Sequence, residues 1–152
     1  MNRMQQAAVY RNGFGNRANL VDILIAHGDD KARSALRLFL TQDPCLQVAG
    51  TAENGQELLH LVASRRPDLV LLDWRLPGSP AAELLATLRA ADEGLKIIVL
   101  ISRPELREVV QRAGADGIIN LWEPPRKVLT AILALMCEDD GILPEKHEAS
   151  HL

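Results

Sequence analysis

The sequence predicts a doubly wound α/β fold in which five parallel strands alternate with five helices. Three observations support this prediction. Five short runs of β-branched and aliphatic residues recur along the chain, segments of helical period separate them, and the two central runs are apolar on both alternating faces. Strands that are covered by helices on both sides show this last property. Right-handed helical crossovers must then join the parallel neighbours, which gives the doubly wound arrangement.

The five predicted strands are short and occur at regular intervals. The third and fourth contain the unbroken apolar runs 69–72 and 97–101. Since 152 residues bury one continuous core but are too few for two ordinary domains, we expect a single domain. The strands are predicted at residues 21–26, 47–51, 68–72, 96–101 and 117–121.

The helices are predicted from apolar residues that recur at three- and four-residue spacing. Asn54 and Ser102 each stand three residues before a glutamate, Glu57 and Glu105, which is the pattern of an N-terminal capping box. The five apolar stripes are Ala32, Ala35, Leu36, Phe39 and Leu40; Leu58, Leu59 and Val62; Leu84, Leu85 and Leu88; Leu106, Val109, Val110 and Ala113; and Val128, Leu129, Ile132, Leu133 and Met136.

Composition and charge exclude several classes of protein. The net charge of −3 and the isoelectric point of about 5.8 give no basic field, so a nucleic-acid-binding protein is not predicted. Cys45 and Cys137 lack the spacing of a metal site, and so few cysteines suit a reducing compartment. No apolar run resembles a signal-peptide core or a membrane span. We therefore predict a soluble, cytoplasmic protein that has no membrane partner.

The two ends of the chain differ from its centre. Residues 1–19 lack periodicity and are rich in turn formers, so they are predicted to be a flexible leader. Residues 20–138 form the predicted domain, and the acidic stretch 139–152 is predicted to be disordered because it has no apolar stripe. His147 and His151 in that stretch suggest weak, adventitious metal binding at most.

Functional groups of an open parallel sheet collect at the carboxyl ends of its strands, where the strand order reverses. Asp73 stands out there, because a carboxylate at the tip of a wholly apolar central strand is costly unless it is paired or close to solvent. An aspartate that ends a strand is also a common turn former. Taken alone, the residue favours neither interpretation.

Five segments in register resemble the receiver domain of bacterial response regulators. The segment 67–78 contains an apolar strand that ends in Asp73 and is followed by Leu76-Pro77-Gly78, like the family's segment around its phosphorylated aspartate. Residues 21–26 resemble the family's first strand, and residues 52–55 its second loop. Residues 114–117 resemble the turn into the last strand, and Pro125 the start of the last helix. The resemblance runs from about Val21 to Met136.

The resemblance implies a flavodoxin-like fold with the strand order 2-1-3-4-5 and a phosphoacceptor at Asp73. It also implies a sensor histidine kinase as the phosphoryl donor, and Mg²⁺ bound by Asp73 and by an acidic pair that follows the first strand. In the family, a hydroxyl after the fourth strand and a lysine after the fifth bind the phosphoryl oxygens. Positioned cations of this kind offset the repulsion between a phosphate dianion and a carboxylate.

This sequence departs from the family pattern at three positions. His27 and Gly28 stand in place of the acidic pair, and the carboxylates of Asp29 and Asp30 come two residues late. Leu121 stands in place of the lysine. Ile101 takes the place of the hydroxyl, with Ser102 beside it as the predicted helix cap. We therefore predict a degenerate receiver with no cofactor, in which Asp29 and Asp73 are the metal ligands if Mg²⁺ still binds.

Several residues near the predicted site allow two interpretations. His27 is either a pH sensor beside Asp73 or an ordinary surface-loop histidine, the commoner case. Trp74 and Trp122 either line a groove for a partner or cover an emptied pocket. Arg75 either replaces the lost cation in part or faces solvent.

Three functions remain compatible with the sequence. The first is a receiver that is still phosphorylated at Asp73, and the second is a phosphorylation-independent interaction module that presents helix four, strand five and helix five to a partner or to a second copy. The third, a flavodoxin-like binder of small molecules, is disfavoured because no glycine-rich phosphate loop follows the first strand. The prediction is a signalling protein that acts by contact with other proteins and is not an enzyme.

Overall fold

The computed structural model describes residues 20–140, and it describes side chains as far as Met136. Within residues 20–140, five strands alternate with five helices. The strands are β1 (Val21–Ala26), β2 (Leu46–Ala52), β3 (Leu69–Asp73), β4 (Lys96–Ile101) and β5 (Gly117–Asn120). The helices are α1 (Asp30–Leu40), α2 (Gly55–Arg65), α3 (Ala81–Ala91), α4 (Arg107–Arg112) and α5 (Arg126–Asp140), and a 3₁₀ turn (Pro104–Leu106) leads into α4.

The five strands form one parallel sheet in the order β2-β1-β3-β4-β5. This confirms the predicted doubly wound fold and its strand order. The chain runs from β1 to the edge strand β2 and then returns to β3 on the other side of β1. The strand order therefore reverses beside β1 and β3, and these two strands deliver residues to the predicted site.

The core has two halves because successive side chains of a strand point to opposite faces of the sheet. Leu72 and Val70 pack on one face with the apolar side of α3, including Leu84 and Leu88. Leu71 packs on the other face with residues of α5 such as Ile132. The strand β3 is buried at every position, which confirms that the unbroken apolar runs belong to a sheet covered on both sides.

The boundaries of the elements differ slightly from the prediction. β3 begins and ends one residue later than predicted, so Asp73 is the last residue of the strand and pairs with Leu100. β2 is one residue longer at each end, and β5 stops at Asn120. α5 continues to Asp140. The predicted leader and the histidines of the predicted tail lie outside the described residues, so the predicted domain boundaries remain predictions.

At one of the two predicted capping boxes the N-cap residue, Asn54, is confirmed, and the glutamate bonds the residue before the cap instead of the cap itself. The Asn54 side chain accepts a hydrogen bond from Glu57 N at 2.9 Å, and the Glu57 carboxylate accepts one from Glu53 N at 2.7 Å. The box predicted at Ser102 is wrong. Pro104 starts a 3₁₀ turn whose cap is Arg103, and the Glu105 carboxylate accepts a hydrogen bond from Arg103 Nε at 3.0 Å instead of reaching back to the chain at Ser102.

Among the described residues, no helix is both long enough and apolar enough to cross a lipid bilayer.

Candidate functional site

The register of the sheet brings the ends of β1 and β3 together. Ala26 of β1 pairs with Leu72 of β3. The residues that follow them along the chain, His27 and Asp73, therefore lie side by side at the carboxyl edge of the sheet. Trp74 donates its N–H to Leu100 O at 3.0 Å, which fixes the start of the β3–α3 loop against β4. The structure thus places Asp73 at the topological switch point that the sequence predicted.

Asp73 is a nearly buried carboxylate with two close neighbours. Its side chain is 13% exposed, and so is the side chain of His27, whose Nε2 lies 3.6 Å from Asp73 Oδ2. The backbone N–H of Arg75 donates to Asp73 Oδ1 at 3.3 Å. Within residues 20–136, no lysine or arginine side chain forms an ion pair with Asp73.

The hydrogen bonds of His27 indicate which of its nitrogens carries a proton. Nδ1 accepts a hydrogen bond from Asp29 N at 3.0 Å with its lone pair, so in the neutral ring the proton is on Nε2. That N–H faces Asp73. The Nε2 side of the ring therefore faces the carboxylate. The expectation of an ordinary surface-loop histidine is wrong, because the register turns this side chain toward the neighbouring strand.

The two carboxylates that follow His27 are engaged with α1. Asp29 is the N-cap of α1, and its Oδ2 accepts a hydrogen bond from Ala32 N at 2.9 Å. The Asp30 side chain is 90% exposed and pairs with the guanidinium of Arg33, one turn further along the helix. An N-cap side chain accepts a hydrogen bond from a backbone N–H that has no partner within the helix. The Asp29 carboxylate therefore points to the first turn of α1.

The residues at this edge do not fit the Mg²⁺ site that the receiver resemblance implies. Magnesium needs hard oxygen ligands in a near-octahedral arrangement. Asp73 offers a carboxylate, whereas His27 offers a protonated nitrogen and Gly28 offers no side chain. In the part of the chain with described side chains, no group of three or more His, Cys, Asp or Glu residues is arranged to hold a metal ion.

Sequence reasoning missed a buried cation, Arg33. This residue is 9% exposed, and its Nη1 donates to the backbone oxygen of His27 at 2.7 Å. Its guanidinium also pairs with Asp30 and lies 4.0 Å from the Glu53 carboxylate. The helical i,i+3 spacing of Asp30 and Arg33 was the available signal, although such pairs are usually solvent-exposed. Arg33 joins the β1–α1 loop to the β2–α2 loop.

The remaining predicted pocket residues lie at different depths. Ile101 is 1% exposed, and Ser102 beside it is half-buried. Leu121 is 39% exposed, and its N–H donates to Ile101 O at 2.7 Å. Its aliphatic side chain cannot supply the charge that the family's lysine carries.

The two tryptophans and the arginine beside Asp73 differ in exposure. Trp74 is half-buried and packs against the core, whereas Trp122 is 76% exposed. Trp122 therefore does not cover the pocket as a lid. The Arg75 residue is exposed, and its backbone N–H contacts Asp73.

Comparison with known proteins identifies the family. A sequence model of the response regulator receiver domain matches residues 23–132. This chain belongs to the response regulator receiver domain family. The match covers the whole sheet except the first two residues of β1, and it confirms the resemblance carried by the five sequence segments.

Individual relatives support the same assignment to the receiver domains of two-component response regulators. Transcriptional regulatory protein MalR of Bacillus subtilis (strain 168) is 31% identical over 106 residues, which make up 70% of this chain and 45% of MalR. Sporulation initiation phosphotransferase F of the same organism is 34% identical over 74 residues, or 49% of this chain and 59% of the phosphotransferase. This receiver chain spans about half the length of the curated relatives it matches.

Solved structures agree with the observed fold. The CheY-like response regulator receiver domain protein of Methanospirillum hungatei JF-1 aligns with a TM-score of 0.72 and 26% identity, over 80% of this chain and 98% of that chain. A two-component response regulator of the LuxR family from Aurantimonas sp. SI85-9A1 aligns with a TM-score of 0.74 at 22% identity, over 78% of this chain and 86% of that chain.

Proposed function

We propose that this receiver domain acts in two-component signalling by contact with other proteins, and that Mg²⁺-dependent phosphorylation of Asp73 is reduced or absent. The partner is a sensor histidine kinase or another signalling protein in the cytoplasm. The described domain serves as the interacting unit and has no catalytic activity of its own. The observation that carries the proposal is the imidazole of His27, whose Nε2 lies 3.6 Å from Asp73 Oδ2 where the family has a metal-binding carboxylate.

The charge around Asp73 disfavours the arrival of a phosphate dianion. Two like charges at contact distance in partly buried surroundings repel by several kcal/mol, on the order expected for an effective dielectric constant near 20. The Arg33 guanidinium is committed to Asp30 and to the His27 carbonyl, so it is not free to offset that repulsion. Leu121 supplies no charge at the position of the family's lysine. Phosphoryl transfer depends on such positioned cations.

A phosphorylation assay tests this proposal directly. We expect that acetyl phosphate with Mg²⁺ leaves the intact mass of the protein unchanged, and that beryllofluoride with Mg²⁺ leaves the fluorescence of Trp74 unchanged. A receiver of ordinary phosphorylation competence, treated in parallel, provides the positive control. The proposal is wrong if the protein gains one phosphoryl group as fast as the control receiver does and the Asp73→Ala variant does not.

An exposed apolar surface supports a protein partner. Among the described residues, the large hydrophobic side chains that are exposed are Leu38, Val109, Leu121 and Trp122. Three of these belong to α4 and to the loop after β5, which are neighbours in the fold. Glu108 and Arg112 form an exposed ion pair on α4, so charged groups flank the apolar residues. An aromatic anchor within a polar rim is typical of protein interfaces.

We propose that the partner on the α4–β5–α5 face is a second copy of the chain. A two-fold axis would bring Trp122 of each copy onto the same surface of the other. We expect Trp122→Asp to weaken self-association by about tenfold or more, since buried tryptophans are frequent interface hot spots. Sedimentation equilibrium over a range of protein concentrations measures the effect.

The matched control is Leu38→Asp, which places the same charge at an exposed apolar position on α1 and is expected to leave association unchanged. A monomeric wild-type protein would refute the dimer, and equal effects of the two substitutions would refute the assigned face.

A further inference from the structure

Asn54 and Gly55, at the junction of β2 and α2, form a dipeptide that is chemically reactive when it is free to move. Asparagine is a thermolabile residue. The backbone nitrogen of the following residue can attack its side-chain carbonyl carbon, and the side-chain nitrogen then leaves as ammonia. A glycine in the following position favours the attack, because it has no side chain to shield its nitrogen.

The fold gives both residues of this dipeptide a structural role. Asn54 is half-buried and caps α2, with its side-chain oxygen accepting a hydrogen bond from Glu57 N at 2.9 Å. Gly55 is buried, and a Cβ placed on it would stand 3.1 Å from both methyl carbons of Leu84 on α3. Glycine therefore fits where α2 and α3 meet. A serine or an aspartate would cap the helix as well as Asn54 does, but neither has a reactive amide.

The β3–α3 loop covers the reactive nitrogen of Gly55. The Gly55 N–H donates to Pro77 O at 3.0 Å, so a base in solution cannot remove its proton while this bond is closed. Gly78 follows with φ of +108°, and a Cβ placed on it would stand 3.2 Å from Gly55 N. Cyclisation requires the nitrogen to leave the Pro77 carbonyl and to turn toward Asn54 Cγ. The loop that begins after Asp73 must therefore open first.

We propose that Asn54 is a latent deamidation site, which reacts only while the β3–α3 loop is open. Gly55 N loses its proton to a base in solution and forms a bond to Asn54 Cγ, and the bond from Cγ to the side-chain nitrogen breaks to release ammonia. Water then opens the cyclic imide at either carbonyl, which leaves aspartate or isoaspartate at position 54. Isoaspartate lengthens the backbone by one carbon and moves the cap away from Glu57 N, so α2 loses its cap.

The deamidation rate follows the population of the open loop. Local opening that is fast relative to the chemical step makes the observed rate the product of the open fraction and the rate of the free dipeptide. The reaction needs neither a phosphoryl donor nor a metal ion. Its outcome is therefore independent of the proposed function at Asp73.

The first test compares folded protein with the same protein unfolded in urea, both at one mildly alkaline pH. Peptide mapping by mass spectrometry measures the replacement of the amide by a carboxylate at residue 54. We expect the folded protein to react about tenfold more slowly or less, since the loop must open against its contacts. Asn54→Ser keeps a capping side chain and sets the baseline, with no conversion at this position. Equal rates in folded and unfolded protein would overturn the proposal.

The second test opens the loop by substitution. We expect Gly78→Ala to speed the reaction of the folded protein by about tenfold, because opening the loop relieves the backbone strain at residue 78. Gly114→Ala is the matched control, since φ there is +102° and a Cβ would meet nothing within 4 Å. Its rate at Asn54 is expected to equal that of the wild type. Both variants are incubated below their melting temperatures. Equal acceleration by the two substitutions, or none by Gly78→Ala, would refute the role of the loop.

Discussion

Replacing Leu71 with alanine is expected to lower the free energy of unfolding by about 3–4 kcal/mol, the range for large-to-small substitutions in a packed core. Leu71 lies at the centre of β3, where it pairs with Ile25 on one side and Ile98 on the other, and it is fully buried. The side chain is enclosed between the sheet and α5. A small domain is stable by only about 5–15 kcal/mol, so this loss is a large fraction of the total.

Urea unfolding followed by circular dichroism measures the change. Leu38→Ala is the matched control, because Leu38 is 65% exposed and the same truncation there removes little buried surface. We expect the control to shift the free energy of unfolding by about 0.5 kcal/mol or less. Similar shifts for the two variants would contradict the assignment of Leu71 to the core.

Replacing Arg33 with methionine is expected to lower the free energy of unfolding by about 2 kcal/mol, because a charge-assisted hydrogen bond to the His27 carbonyl is lost. The long methionine side chain retains much of the packing of the arginine stem. The link from Arg33 to Asp30 contributes less, since the Asp30 side chain is 90% exposed. Releasing the β1–α1 loop should also free the ring of His27 from its position beside Asp73.

Two measurements follow the Arg33 variant. Urea unfolding gives the stability, and the imidazole resonances of His27 in an NMR spectrum report its surroundings. Arg37→Met removes an arginine from the exposed side of the same helix and is expected to change neither measurement. An Arg33→Met protein with wild-type stability and an unmoved His27 signal would show that Arg33 does not fix this loop.

Much of the fold was predictable because its signals are local. The apolar runs at β3 and β4 predicted a sheet buried on both faces, and the helical stripes predicted the crossovers between strands. Asn54 and Glu57 predicted the start of α2, since a capping box involves residues only three apart. The same reasoning failed at Ser102, where Pro104 begins a tighter turn and moves the cap to Arg103.

The candidate site was predictable in position but not in its contacts. The sequence placed Asp73, His27 and Gly28 at the ends of adjacent strands. The pairing of β1 with β3 confirms that Asp73 and His27 are neighbours. The engagement of Asp29 with α1 was not predicted, because the same aspartate serves equally well as a metal ligand or as a helix cap. The choice depends on where the first turn of α1 begins.

The sequence by itself predicted the fold family, the place of Asp73 at the tip of a central strand and, through the resemblance to receiver domains, the replacement of the family's acidic pair and lysine. These are properties of residue order and of periodicity along the chain. Only the tertiary structure decided that Arg33 is buried at the His27 carbonyl, that the Nε2 side of the His27 ring faces Asp73, and that the ring of Pro77 lies against Gly28. Each of these contacts depends on how loops pack once the strands are in register, and angstrom-scale packing of that kind leaves no periodic trace in a sequence.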